Sequence, residues 1–223
     1  MSDTATEGTD SEVDERRQAI VDTLTGELGA ALVGSHVLPG TDLWIRVARD
    51  AWVETFTLLR DKHTLRWFDF LSAIDWMPSP YGRSMDAEVD NVMAGAVPKE
   101  PDAISWGYAG GETRFQVFAR VYSITQHWGI TVKADLPDDD LSVATLIPVF
   151  AGANWHEREA WEMFGITFVG HPDQRHLYLP GDFEGNPLRK DFPLLARMVK
   201  PWPGIVDVEP MPGDDDEGDG GDS

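Results

Sequence analysis

The stretch Arg114-Phe-Gln-Val-Phe-Ala-Arg-Val-Tyr122, followed after Ser-Ile-Thr-Gln by His127-Trp-Gly-Ile-Thr-Val-Lys-Ala134, decides the fold class. In the first run Phe115, Val117, Ala119 and Val121 alternate with Arg114, Gln116, Phe118 and Arg120. In the second, Trp128, Ile130 and Val132 recur at the same spacing. Alternation in period two puts the apolar set on one face of a strand. The four polar-leaning residues between the runs predict an antiparallel hairpin.

Upstream of the hairpin, Arg66 to Trp76 is aromatic and apolar enough for another strand, and Leu43 to Ala48 alternates with Leu43, Ile45 and Val47 on one face. Between them, Ala51 to Arg60 returns to helical spacing through Trp52, Phe56 and Leu59. From Ser11 to Val33 the residues Ile20, Leu24, Leu28, Ala31 and Leu32 predict an amphipathic helix. Thr9 with Glu12, or Ser11 with Asp14, offers its cap, and Gly34 its stop. The stretch of about 77–111 is rich in Gly, Pro, Ser, Ala and acid, lacks periodicity, and reads as a long inserted loop.

Downstream, the turn Pro137-Asp-Asp-Asp140 precedes a short helix expected over Val143 to Phe150. A second helix spans Trp155 to Phe164, with Asn154 as its cap, Glu157 completing a capping box, and Gly165 closing it in the left-handed conformation. Prolines then fall at 172, 180, 187, 193, 201, 203, 210 and 212, a spacing that no regular helix survives. Strands and helices without strict β-α-β alternation predict an α+β domain over 11–170. Its sheet is expected to be mixed and mostly antiparallel, with helices packed on it. A long extended segment, 171–206, follows and is expected to bind a partner. The ends, 1–10 and 207–223, read as disordered acidic tails.

Charge and composition exclude several functions. The chain has 18 Lys+Arg against 39 Asp+Glu, a formal net charge of −21. Residues 1–15 hold six acids and no base, and residues 201–223 hold eight acids and no base, so the ends carry −14. No stretch supplies the basic field that binding bare nucleic acid requires. Zero cysteines exclude a disulfide framework, a thiolate zinc site, a cysteine nucleophile and an iron–sulfur cluster ligated by this chain. His156-Glu157-Arg158-Glu159-Ala160 begins like a helical zinc-protease motif, but Ala160 stands where the second histidine is needed. The glycine clusters match no nucleotide-binding loop, and there is no nucleophile-elbow serine. The longest uncharged, apolar-leaning run, Leu141 to His156, is too short and too broken to span a bilayer. The acidic, polar first residues are unlike a secretory leader.

The segment from Asn154 to Pro193 departs from ordinary globular sequence. Glu157, Arg158, Glu159 and Glu162 surround Trp161 and Phe164 on one short helix, with Arg158 one turn from Glu162. Taken alone, these four charges describe a solvated helix face beside a core-facing aromatic pair. The irregular stretch after the helix must satisfy its backbone against its own domain or against a partner chain. Its charge balance also differs from that of the preceding domain: residues 171–200 carry five bases and four acids, against 13 bases and 21 acids over 16–170.

Glu157-Arg-Glu-Ala-Trp-Glu-Met-Phe-Gly-Ile166, then His171-Pro172-Asp173, then Glu184-Gly185 and Pro187-Leu188-Arg189-Lys190-Asp191-Phe192-Pro193, closely resembles the signature of the 30 kDa subunit family of respiratory complex I, the proton-translocating NADH:quinone oxidoreductase. The likeness is strongest over about 140–195 and absent from the acidic tails. Two departures stand out. The family usually has Asp where this chain has Glu162, and a Leu-Arg-Arg run where it has Gln174-Arg175-His176.

The resemblance implies a noncatalytic structural subunit of the peripheral arm, at the cytoplasmic face of a bacterial plasma membrane. It implies packing against the large quinone-module subunit and the cluster-bearing subunits, and membrane association only through the complex. The chain itself is expected to bind no cofactor or metal; FMN, iron–sulfur clusters and quinone belong to partner subunits. The residues the resemblance singles out, as interface or structural groups and not as catalysts, are Glu157, Arg158, Glu159, Glu162, Phe164, Gly165, His171, Pro172, Asp173, Arg175, Pro187, Leu188, Arg189, Lys190, Asp191 and Pro193. Two other readings compete. One is the equivalent subunit of a related membrane-bound hydrogenase or formate-oxidising complex. The other is a free-standing enzyme using His171 or His176 as a base.

Overall fold

A computed structural model describes residues 14–78 and 103–192. The predicted hairpin is present: β4 (Phe115–Ser123) and β5 (Trp128–Leu136) pair antiparallel, with Ala119 opposite Val132 and Val121 opposite Ile130. On the far side of β4, β3 (Trp67–Asp75) pairs antiparallel with a bulge between Phe68 and Phe70. On the far side of β5 lies β2 (Leu43–Val47), paired in parallel, and beyond it β1 (Leu32–His36), antiparallel to β2. The five-stranded sheet therefore runs β1-β2-β5-β4-β3, mixed and mostly antiparallel. A two-stranded parallel sheet joins β6 (Ser142–Ala144) to β7 (Thr167–Val169).

One face of the large sheet carries the apolar set read from the sequence. Leu43, Ile45, Val117, Ala119, Val121, Ile130 and Val132 are fully buried there. Against them pack Leu24 of α1 (Glu15–Leu28) and Trp52, Phe56 and Leu59 of α2 (Trp52–Asp61). The third helix, α3 (Ala153–Phe164), lies along β3.

The opposite sheet face mixes the aromatic rings of Trp44, Phe70 and Phe118 with polar groups, and part of it is covered by the chain. Arg46 on β2 donates to Ala109 O at 3.2 Å and to Glu112 at 3.1 Å, and pairs with Asp135 on β5. Gln116 accepts from the Trp76 indole at 2.7 Å and donates to Asp135 at 2.6 Å and to Gly110 O at 3.2 Å. Residues 109–112 are thereby pinned over the middle of the sheet.

Several sequence expectations are corrected. The first helix ends at Leu28, capped by Gly29 with φ +54°, and 32–36 forms β1. Gly34 is thus no helix stop: a Cβ there would stand 2.8 Å from Ala109 O, so glycine lets residue 109 close over the strand. The cap of α1 is Asp14, which accepts from Arg17 N at 3.0 Å. The helix expected over Val143–Phe150 is instead the strand β6 followed by a turn; the β-branched Val143 pairs with Phe168 of β7. The helix α3 begins two residues early, with Gly152 in the cap position and no side-chain cap bond, so Asn154 lies inside it. The left-handed end at Gly165, φ +75°, is as expected. Residues 170–192 contain neither helix nor strand, and 103–111 are likewise irregular. The two acidic tails, 193–206 and most of the inserted loop fall outside the described residues.

Candidate functional site

The charges of α3 are not a solvated face. Glu157, Arg158 and Glu162 are 0%, 9% and 2% exposed, and each is consumed in holding a piece of chain against the helix.

Glu157 does not complete a capping box. Its carboxyl accepts the Leu146 N–H at 2.6 Å and the Thr145 hydroxyl at 2.5 Å, and that hydroxyl in turn accepts the Ile147 N–H at 3.2 Å. It fastens α3 to the turn after β6. Burial without a neighbouring cation pushes its pKa up to about 7, against the pull of those two hydrogen bonds.

Arg158 and Glu162 do not pair with each other along the helix. Arg158 donates to the carbonyls of Arg175 at 3.1 Å and His176 at 2.8 Å. Glu162 accepts the N–H groups of Leu177 at 3.0 Å, Tyr178 at 3.1 Å and Leu179 at 2.6 Å, and bonds His176 Nδ1 at 3.0 Å. One cation takes the carbonyls of the passing strap and one anion takes its amides. The strap 175–179 has no strand partner, so this pair answers the backbone demand that irregular chain creates. Burial alone would raise the Glu162 pKa, but the three backbone N–H groups and His176 outweigh it and hold it below its ordinary value.

The end of α3 is closed by the next piece of the signature. A helix leaves its last carbonyls without intrahelical donors. Here Trp161 O receives Gly165 N at 2.8 Å, and Glu162 O receives the Asn186 side chain at 2.9 Å. Met163 O receives Leu188 N at 3.1 Å, and Phe164 O receives Arg189 Nε at 2.6 Å. The guanidinium of Arg189 also sets a cation at the negative end of the helix dipole.

Asp75, at the end of β3, is the residue that ties this segment to the large sheet. Its buried carboxylate takes Arg114 through Nε at 2.9 Å and Nη2 at 2.7 Å, the Met77 N–H at 3.0 Å and the Lys190 N–H at 2.8 Å. Burial opposes its ionisation, but Arg114 and the two amides hold its pKa below the usual carboxylate value. Asp191 meets the same Arg114 at 3.0 Å. The ring of Phe115 lies beneath two guanidiniums, Arg114 at 4.5 Å and Arg189 at 5.2 Å.

The remaining signature residues divide by exposure. Phe164 is in the core. His171 donates through Nε2 to Asn154 O at 3.1 Å and accepts the Asp173 N–H on Nδ1 at 3.0 Å, so both ring nitrogens are engaged. Pro172 is exposed, and Arg175 pairs with Asp173 at 2.9 Å in solvent. Glu159 and Pro187 are half-buried, and Leu188 and the Lys190 side chain face outward. Pro193 lies outside the described residues. Sequence reasoning missed Asp75, Arg114, Thr145 and Asn186 as members of the site. Asp75 and Arg114 were legible only as strand ends, and pairing of Asp75 with Phe115 is what brings them together. Among the described residues no group of three or more His, Asp and Glu side chains is placed to hold a metal ion, and no helix is long and apolar enough to cross a membrane.

The family described as the respiratory-chain NADH dehydrogenase 30 Kd subunit matches residues 45–198. Among curated relatives, the C/D chain of the NADH-quinone oxidoreductase of Cronobacter sakazakii is 48% identical over 88 residues, covering 40% of this chain. That of Klebsiella pneumoniae is 47% identical over the same length. The chain spans about 15% of the length of these relatives. Among solved structures, the trypsin-resistant fragment (1-134) of Nqo5 is similar, with 19% identity and a TM-score of 0.50, covering 70% of this chain and 98% of that one. A chain of an archaeal membrane-bound sulfane sulfur reductase has 20% identity and a TM-score of 0.57, covering 86% and 94%. At those identities the two structures attest the fold. The family match, extending from β2 through the segment that closes α3, places this chain in the family of the 30 kDa subunit of respiratory-chain NADH dehydrogenase.

Proposed function

We propose that this chain is a structural subunit of the peripheral arm of a proton-translocating NADH:quinone oxidoreductase, at the cytoplasmic face of a bacterial membrane. In this reading it performs no electron transfer itself. It holds the cluster-bearing chains and the large quinone-module chain in register, and FMN, iron–sulfur clusters and quinone reside in those partners. Electron tunnelling falls steeply with distance, so a rigid spacer supports turnover without touching a substrate.

The family match over 45–198 carries this reading. The site supports it physically: the buried charges of the signature are spent on fixing a strap and a helix end, which is the work of a scaffold. The curated relatives bear the joint designation C/D in a single, longer chain, which supports the D component of such an enzyme as the neighbour. The hydrogenase counterpart is not favoured, because the family and these relatives bear NADH dehydrogenase or NADH-quinone oxidoreductase names.

Deletion of the gene tests the proposal. Membranes from the deletion strain are expected to lose assembled, inhibitor-sensitive NADH-to-quinone electron transfer, and the full chain is expected to restore it. Normal assembly and activity without the chain would overturn the reading.

A further inference from the structure

The uncharged run from Leu141 to His156 supplies β6 and the turn after it, and the carboxyl of Glu157 is buried against that turn. Glu157 is 0% exposed, Thr145 7% and Leu146 0%. From 141 to 155, and from 163 to 170 where β7 lies, the sequence has no Asp, Glu, Lys, Arg or His. The wall that this carboxyl meets therefore offers it no counter-ion.

The charged residues of the neighbouring elements are committed elsewhere. On α3 itself, Arg158 and Glu162 serve the strap, Glu159 projects from a different side of the helix, and His156 lies against the Phe68 ring at 5.6 Å. On β3, Asp69 pairs with Arg120 and Asp75 with Arg114. On α2, Glu54 is exposed, and Arg60 donates to Asp61 and to Val149 O. Arg49, just before α2, is bound to Asp140. Among the described residues no cation bonds Glu157. A buried carboxyl with two hydrogen-bond partners and no cation favours its neutral form. Burial accordingly pushes its pKa up to about 7.

We infer that Glu157 is a proton-binding site that latches α3 to the turn 145–147, held closed by the neutral carboxyl and loosened when the proton leaves. In the closed, neutral form Oε2–H donates to Thr145 Oγ1, 2.5 Å away, and Oε1 accepts the Leu146 N–H. Thr145 Oγ1 also accepts the Ile147 N–H, so both of its lone pairs are filled. On ionisation the O–H bond of the carboxyl breaks and the proton passes to water. The Thr145 hydroxyl then reverses and donates to Oε2. An anion left at this depth without a cation gains by lifting the turn and admitting water. The closed form binds the proton more tightly than the open one, so opening grows by about tenfold per pH unit above about 4.5 and levels off above about 7. The latch stands at the start of α3, the helix whose Arg158 and Glu162 hold the strap.

The test is a pH titration of the full chain by nuclear magnetic resonance, beside its Glu157→Gln variant. The carboxyl carbon of Glu157 is identified by its absence from the variant. Its midpoint is expected near pH 7, and the Leu146 N–H resonance is expected to move with the same midpoint. A midpoint below about 6 or above about 8, or a Leu146 resonance that does not follow, overturns the inference. Amide exchange at 146 and 147 then tests the latch. Glutamine keeps the shape of the neutral acid and does not ionise, so the ratio of wild type to variant at one pH removes the ordinary pH dependence of exchange. That ratio is expected to rise by about tenfold per unit between about pH 5 and 6.5 and to level off above about 7. Exchange at 146 and 147 should also be faster than in the buried amides of β5, as local opening requires. A ratio independent of pH, or exchange no faster than in β5, overturns the inference. If the variant does not fold, the Leu146 midpoint of the wild type decides alone.

Discussion

Replacing Glu162 with Gln tests the geometry of the strap with almost no change of shape. In the native chain Oε1 accepts from Leu179 N and His176 Nδ1, and Oε2 accepts from Leu177 N and Tyr178 N. A glutamine turns one of these oxygens into an NH2 group, so two strap donors then face another donor. A buried N–H deprived of its acceptor costs about 1–3 kcal/mol. The strap can lift and hand its amides to water, so the loss falls on local opening and not on the whole domain. An expected loss of about 2–4 kcal/mol speeds exchange at the amides of 177–179 by on the order of 30- to 1,000-fold. Amide hydrogen exchange of the intact chain measures this directly, with the buried amides of β5 as the internal reference. Unchanged protection at 177–179, or equal loss of protection in β5, would refute the claim that Glu162 holds the strap locally.

Four further outcomes follow from the same contacts. Glu157 has its pKa raised from 4.5 to about 7, so the folded chain holds this proton more tightly than the unfolded one. Its contribution to stability is full below about pH 4.5 and is lost as pH rises through about 7, a change of roughly 3 kcal/mol; Glu157→Gln should flatten that slope in urea titrations run from pH 5 to 8. Asp75→Asn removes the double contact with Arg114 and weakens the hold on Lys190 N. With Asp191 still near Arg114, a loss of about 3 kcal/mol is expected in the same titrations at neutral pH. Gly165→Ala forces an L side chain to φ +75° and sets its Cβ against Arg189 Nη2 and 2.8 Å from Asn186 Oδ1. A cost of about 1–2 kcal/mol should appear as a lower thermal midpoint. Removal of residues 196–223 should cost less assembly than Arg189→Ala with Lys190→Ala, measured as the amount of chain in purified complex; the reverse order would make the acidic end the docking element.

The hairpin, β2, β3 and α2 were legible because each carries its own periodicity. Leu43, Ile45 and Val47 on one face need no distant partner to be recognised. The missed elements lacked that property. Strand β1 contains a glycine and a serine and alternates weakly, so its residues merged into the pattern of α1. Strand β6 is three residues long and exists only because β7 pairs with it. In the site, local rules misled where distant chain offered better partners. Spacing of four residues suggested that Arg158 would meet Glu162, yet both are claimed by 175–179. The third helical position suggested a capping box for Glu157, yet Thr145 and Leu146 take its carboxyl. Asp75 and Lys190 are separated by 115 residues, and no local signal connects them. The block 184–192 stands out in the sequence because it cannot fold alone; two of its backbone N–H groups, those of Leu188 and Lys190, are taken by Met163 O at the end of α3 and by Asp75.

The proposed function depends on this chain being a scaffold of an NADH-oxidising complex. The most direct test is the set of proteins that co-purify with the tagged full chain from detergent-solubilised membranes. A scaffold of that kind should bring down flavin- and iron–sulfur-containing subunits that oxidise NADH, together with the large quinone-module subunit, in fixed ratio to itself. Recovery of the chain alone, or with a nickel-containing complex in their place, would contradict it.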